Sequence, residues 1–310
     1  SMVGSYLLEQ FAGITTSVFY ASEFRYSPPP LLPNTLTIGV TQSGETADTL
    51  AALNMEIHRR EIHSDKNYRP HLIAITNRLE SSIARQISNI IDISAGIEIG
   101  VAATKTFFGQ LLSFYGLAIT FAQVKQSKSN QEINQLISDI SKLPNILEEL
   151  VNQHNLISEK LAHDFSDIKD VIFLGRGINY PIALEGALKL KEISYIHAAG
   201  YPAGEMKHGP IALLEKKVPV ISIATPGQVF EKVISNAQEA KARDSFLIGI
   251  APECEGTEIF DYLMPLPVTN EWLSPLVAVI PLQLLSYHIA AHRGLDVDQP
   301  RNLAKSVTVE

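Results

Sequence analysis

Residues 35–55 read TLTIGVTQSGETADTLAALNM, and this stretch decides the fold. A β-branched, apolar run (Leu36, Thr37, Ile38, Val40) gives way to the polar loop Thr41-Gln42-Ser43-Gly44-Glu45-Thr46, after which Leu50, Leu53 and Ile57 share one helical face. The pattern predicts a strand, a hydroxyl-rich turn and a helix N-terminus. The first turn of a helix has backbone N–H groups without internal partners, and aligned peptide dipoles place a partial positive charge there, so an anion fits. Thr41, Ser43 and Thr46 add hydroxyl donors around the same point, while Gly44 lets the backbone come close to a bound group. No lysine or arginine lies in the loop, so the expected ligand is a phosphate held by dipoles and hydroxyls. The competing reading is that Ser43 or Thr46 merely caps the helix. The Gly-Lys-Ser/Thr ending of a P-loop is missing, as is a G-x-G-x-x-G, which favours a phosphorylated small metabolite over a nucleotide.

Composition narrows the class. The 310 residues suffice for two domains with separate cores; 45% are apolar and 19% charged, which describes a compact chain rather than a disordered one. A net charge of −8 with no Lys/Arg block argues against nucleic acid as a partner. The lone Cys254 rules out an intrachain disulfide and any cysteine-based zinc site, and suits a reducing, cytoplasmic setting. The longest apolar run, Leu276 to Ala291, is interrupted by Pro281, Gln283 and His288 and is not expected to span a bilayer. No cofactor or metal is called for.

Outward from the opening stretch, the order is a short helix near Val3 to Ala12, a strand at Thr15 to Tyr20, and the exposed Pro28-Pro29-Pro30 loop. Beyond it lie a strand His71 to Thr76, a helix near Ser81 to Ile87, a strand Ile90 to Ile93 and a helix Thr104 to Ala122. A polar, helical connector runs from Asn130 to His163. The grammar then restarts with a strand Val171 to Leu174, a Gly175-Arg176-Gly177 turn, and Pro181 opening a helix. Strands alternating with helices predict an α/β protein with doubly wound parallel sheets.

The two halves are copies. Ala21-Ser22-Glu23-Phe24-Arg25 matches Ala203-Gly204-Glu205-Met206-Lys207, His71-Leu72-Ile73-Ala74-Ile75 matches Phe246-Leu247-Ile248-Gly249-Ile250, and Gln110-Leu111-Leu112-Ser113 recurs as Gln283-Leu284-Leu285-Ser286, at offsets of 182, 175 and 173. The expected domains are 1–150, 151–295 and a tail, 296–310. Because copy two opens about thirty residues before Ala203, the opening strand and turn of copy one are expected to precede residue 1.

Chemistry-bearing residues concentrate in the second copy. Glu185, Lys189 and Glu192 fall at i, i+4 and i+7 of a helix that is apolar over most of its remaining surface, so the charged stripe is expected to face a cleft or an interface. Such a pair can simply support the helix by about 0.3–0.5 kcal/mol; a partly buried carboxylate beside a lysine is also what proton transfer at a sugar carbon needs. His208 sits in Glu205-Met206-Lys207-His208-Gly209-Pro210, an irregular loop where a histidine is ordinarily solvated or structural. The tail, 296–310, is too polar for a core element.

Several motifs together, Thr41 to Thr49, Glu98-Ile99-Gly100-Val101-Ala102, Gly175-Arg176-Gly177, Tyr180 to Glu192, Lys207-His208-Gly209-Pro210 and the tail, resemble the isomerase half of the glucosamine-6-phosphate synthases across essentially the whole chain. The resemblance implies two tandem sugar-isomerase (SIS) domains in three-layer αβα form, and conversion of fructose 6-phosphate with ammonia into glucosamine 6-phosphate. It assigns the phosphate to Thr41, Gln42, Ser43 and Thr46, adds Val101 and Ala304 to the substrate-binding set, and makes Glu192 the group that moves a proton between C1 and C2, assisted by Lys189. His208 opens the sugar ring and comes from the neighbouring subunit, implying a homodimer. Lys305, in a tail that closes over the sugar, forms a Schiff base and is expected to have its pKa lowered by burial or a nearby cation. Alternatives are a non-catalytic phosphosugar-binding SIS module and another SIS isomerase or deglycase. The family's glutaminase domain is not within these residues, and Ala103 and Ala199 stand where its members usually carry serine and glutamate.

Overall fold

A computed structural model describes residues 1–306. The chain forms two compact units, Ser1–Phe121 joined by the tail from Ala304, and Ala122–Leu303. The division falls at 121/122 rather than at the expected 150/151.

In the first unit, helix α1 (Met2–Tyr6) continues as a π turn over Leu7–Phe11, and α2 (Ala21–Phe24) follows. Strands β1 (Leu36–Val40), β2 (His71–Thr76) and β3 (Ile90–Asp92) form one parallel sheet in the order β1-β2-β3. In register, Leu36 pairs with His71 and Ala74 with Ile90. Helix α3 (Ala47–Glu61) follows β1, and the short α4 (Ser82–Gln86) follows β2. Leu53 of α3 packs with Ala74, Ile83 and Ile87 to form the core on one face. Gly39 of β1 permits that approach, since a Cβ there would lie 2.7 Å from Leu53 Cδ1. Helix α5 (Lys105–Lys125) closes this half of the chain, with Phe114 lying against Gly4 of α1.

The expected strand at Thr15 to Tyr20 is not formed. Its counterpart in the second unit, β5 (His197–Pro202), is an edge strand that pairs only with β4 (Asp170–Gly175). The sheet of the first unit contains only β1, β2 and β3 among the described residues. Residues 15–20 join none of these strands, and a strand needs a ladder to satisfy its backbone groups.

The second unit, from Ala122, contains α6 (Asn130–Ala162), whose start is fixed by a capping box between Ser129 and Glu132. Its sheet has the order β5-β4-β6-β7-β8, all parallel, with β6 (Val220–Ile223), β7 (Leu247–Ala251) and β8 (Tyr262–Pro265). Strand β4 is buried on both faces, as parallel sheets require. Ile172 and Leu174 join Val233 and Ala237 of α8 (Phe230–Lys241) on one side. On the other, Phe173 meets Gly186 of α7 (Tyr180–Ser194), where a Cβ would lie 2.9 Å from its ring and 2.8 Å from Leu282 of α9 (Ser274–His292).

Helix α5 and the stretch Glu271–His292 are long and apolar enough, by length and composition, to cross a membrane, despite the interruptions in the latter. In the latter, 72% of the apolar window is buried inside the protein, as in a core helix; in α5 the share is 28%.

Candidate functional site

The loop after β1 is braced from below by α4. Ile83 N–H donates to Gly44 O at 3.0 Å, and Ser82 donates to the Glu45 carboxylate through its N–H at 2.8 Å and its hydroxyl at 2.6 Å. Those two bonds hold the Glu45 carboxyl below the usual glutamate value. The one acid in the loop is thereby tied to α4 instead of facing the loop's donors. Gly44 adopts φ +71°, and a Cβ there would fall 2.0 Å from Ser81 Oγ, so glycine is required by both conformation and space.

Thr46 is the N-cap residue of α3, yet its side chain makes no cap bond; its hydroxyl lies 2.9 Å from that of Thr41 instead. Thr41 is buried and also accepts from Gly44 N–H at 3.3 Å, while Ser43 Oγ accepts from Glu45 N–H at 3.2 Å. Capping is therefore not what Thr46 does. The first turn of α3 keeps backbone donors that no capping side chain occupies, and hydroxyls gather at its mouth.

The equivalent loop of the second unit, Ala224-Thr225-Pro226-Gly227-Gln228-Val229, is built differently. Its one hydroxyl, on Thr225, accepts from Asn179 Nδ2 at 2.7 Å. A Cβ on Gly227 would lie 2.4 Å from Glu271 Cδ, so a carboxylate packs where the first loop offers donors. Of the two loops, only the first gathers several hydroxyls at the start of its helix.

Within the same first unit, Ser306 Oγ donates to Ser43 Oγ at 3.1 Å, and Lys305 Nζ donates to Gly100 O at 2.7 Å and Val101 O at 3.5 Å. The tail is thus pinned at the hydroxyl loop. The charged neighbour of Lys305 is not the expected cation but Glu98, whose Oε2 lies 3.5 Å from Nζ. Burial pushes the Glu98 carboxyl up, but hydrogen bonds from Thr106 and Thr104 and the Lys305 charge outweigh it and hold it below the usual value. Ala304 is exposed beside this pair, and Gln42 is half-buried, its carbonyl accepting from Asn77 N–H at 3.2 Å. The last four residues of the tail expected to close over the sugar, 307–310, lie outside the described residues.

Glu98 and Ser306 carry no role on sequence grounds alone. Period-two reasoning misleads here: Ile97 and Ile99 are 70% and 78% exposed, while the Glu98 side chain between them is 4% exposed. Thr104 and Thr106, six and eight residues downstream, were the available signal, since a buried carboxylate needs nearby donors.

In the second unit, α7 carries the acid-lysine stripe. Lys189 Nζ donates to Glu192 Oε2 at 2.6 Å and lies 3.6 Å from Glu185 Oε1. Lys189 and Glu185 are buried, whereas Glu192 keeps a fifth of its side chain exposed. Burial pushes Glu185 up to about 6, with Lys189 opposing and the Glu192 charge adding to the shift. The stripe is thus the buried arrangement that its spacing allows, not a solvated helix pair. Helix α7 ends at Tyr195 in a left-handed turn, with the Arg301 guanidinium 4.2 Å over its ring. His208 ends a 3₁₀ turn (Ala203–His208), exposed, before Gly209 at φ +155°.

Among the described residues no cluster of histidine, cysteine and carboxylate groups could hold a metal ion. The SIS-domain family profile matches residues 1–120 and 164–293. The chain is 64% identical to the glutamine-fructose-6-phosphate aminotransferases (isomerizing) of Thermosynechococcus vestitus and of a Synechocystis species, over 100% of its own length and 50% and 49% of theirs. It spans about half the length of the curated relatives it matches. Among solved structures, the C-terminal domain of glucosamine-fructose-6-phosphate aminotransferase from Francisella tularensis matches with a TM-score of 0.89 and 38% identity, covering 96% of this chain and 82% of that one. Two tandem parallel-sheet copies, only one of which has the hydroxyl loop, and these likenesses lead to one conclusion: the chain belongs to the SIS-domain family, within the group of C-terminal domains of glucosamine-fructose-6-phosphate aminotransferases.

Proposed function

We propose that the chain is the isomerase part of a glucosamine-6-phosphate synthase, converting fructose 6-phosphate and ammonia into glucosamine 6-phosphate. The observation that carries this reading is the first unit's loop: a helix N-cap threonine that leaves the cap unbonded, three hydroxyls, no basic side chain, and the Lys305 tail tied to it through Ser306 and Ser43. A phosphate seated by Thr41, Gln42, Ser43 and Thr46, with Val101 and Ala304 along the sugar, leaves the other end of the substrate for amine and acid groups.

Lys305 then joins C2 as a Schiff base, which acidifies the neighbouring carbon. Glu192 moves the proton between C1 and C2, its carboxylate oriented by the 2.6 Å bond from Lys189. His208, exposed at the end of its 3₁₀ turn, suits donation to a second copy for ring opening. The weakly buried apolar side of α5 suits a self-associating homodimer better than a monomer. The amino-sugar product fits a role in supplying activated N-acetylglucosamine.

Incubating the chain with fructose 6-phosphate, with and without ammonium, and assaying glucose 6-phosphate and glucosamine 6-phosphate tests the reading. Ammonium-dependent glucosamine 6-phosphate is the expected outcome. Tight sugar-phosphate binding with neither product would instead mark a phosphosugar-binding module.

A further inference from the structure

The sequence motif 98–102 contains an acid to which the reading above gives no task, and the structure seats it against the amine of the tail. The Glu98 carboxylate accepts from Thr104 N–H at 2.7 Å, from Thr104 Oγ1 at 3.1 Å and from Thr106 Oγ1. Thr106 is fully buried. These donors fix the carboxylate independently of the lysine, so it is an anion already in place when Lys305 arrives at 3.5 Å.

We propose that Glu98 is the positioning residue for Lys305: it docks the ε-ammonium against residues 98–101 and stays as counter-ion to the same nitrogen when that nitrogen is joined to a keto sugar. The inference rests on the Schiff-base reading above. Its logic is charge conservation. The ammonium sheds one proton, and the free amine adds to the C2 carbonyl. A second proton passes from nitrogen to the former carbonyl oxygen, giving the carbinolamine. The shed proton then returns to that hydroxyl, the C–O bond breaks, water leaves, and nitrogen keeps one hydrogen and the new double bond. One positive charge sits on nitrogen before and after, so an anion fixed beside it stabilises both states, while the carbonyls of Gly100 and Val101 direct the ammonium but cannot balance its charge.

The test compares two readouts on the 310-residue chain. One is the rate at which borohydride traps fructose 6-phosphate on Lys305, followed by mass; the other is the Kd for glucitol 6-phosphate, which has the phosphate but no carbonyl. Glu98→Gln is expected to slow trapping by about tenfold or more while leaving the glucitol 6-phosphate Kd within about twofold, and Glu98→Asp to recover much of the rate. Trapping at the unmutated rate in Glu98→Gln overturns the proposal. So does a parallel loss of trapping and analogue binding in both variants, which marks Glu98 as a scaffold for residues 98–106. If the unmutated chain binds the analogue yet gives no Lys305 adduct, the Schiff-base reading falls and this role falls with it.

Discussion

One lysine serves two carboxylates unequally on α7: Lys189 Nζ lies 2.6 Å from Glu192 Oε2 but 3.6 Å from Glu185 Oε1. The more exposed acid has the short bond. The more deeply buried one keeps an oxygen without a hydrogen-bond partner among the described residues, and its carboxyl is pushed up to about 6 by burial. The two acids on one helix thus sit in different surroundings, and it is the buried one, Glu185, that is shifted toward holding a proton near neutrality.

The first prediction concerns pH. Folded Glu185 binds its proton up to about 6, against 4.5 for the ordinary group, so between those values the folded chain holds more protons than the unfolded one. Stability from this group therefore falls as pH rises from 4.5 through 6 and stays lower above that. The shift corresponds to about 2 kcal/mol. Glu185→Gln should remove this slope: urea unfolding of variant and parent, compared at about pH 4 and pH 7, should show the variant gaining about 2 kcal/mol relative to the parent at the higher pH. A pH-independent difference would refute it.

Glu192→Gln should leave fructose 6-phosphate binding intact and lower turnover by about a hundredfold or more, because the amide cannot accept a proton. Calorimetric binding beside a product assay checks both halves. Undiminished turnover would remove Glu192 from the role of base.

For Thr46→Val, no cap bond is lost, so denaturant unfolding should shift by only about 1 kcal/mol through the Thr41 contact. Affinity for fructose 6-phosphate should drop by about tenfold, as one donor leaves and a methyl enters the mouth of α3. An unchanged Kd would place the phosphate elsewhere.

Gly44→Ala combines a left-handed backbone with a Cβ that would lie 2.0 Å from Ser81 Oγ and 2.4 Å from its Cβ. Destabilisation of about 2–4 kcal/mol follows, visible as a lower unfolding midpoint. A variant as stable as the parent would show that the loop is not held under α4 as described.

What the sequence determined by itself was local and periodic. The β1 run, its loop and the start of α3 were legible because strand, turn and helix each leave a pattern within a few residues. The strand His71 to Thr76 was legible for the same reason, and duplication was visible because both copies keep the same order of elements. The i, i+4, i+7 stripe of Glu185, Lys189 and Glu192 was likewise readable from helical geometry alone.

Tertiary structure decided the rest, because partners distant along the chain leave no periodic trace. Residues 15–20 have the β-branched and aromatic content of a strand but form none, since composition does not supply the ladder that a strand must join. Glu98 is inside and its flanking isoleucines outside because Thr104, Thr106 and a lysine more than two hundred residues away satisfy its charge. Thr46 is free of capping because Thr41 takes its hydroxyl, and Ser43 meets a serine from the tail. Burying a charge or orienting a hydroxyl is favourable only when its partners are assembled, and only the folded chain assembles them.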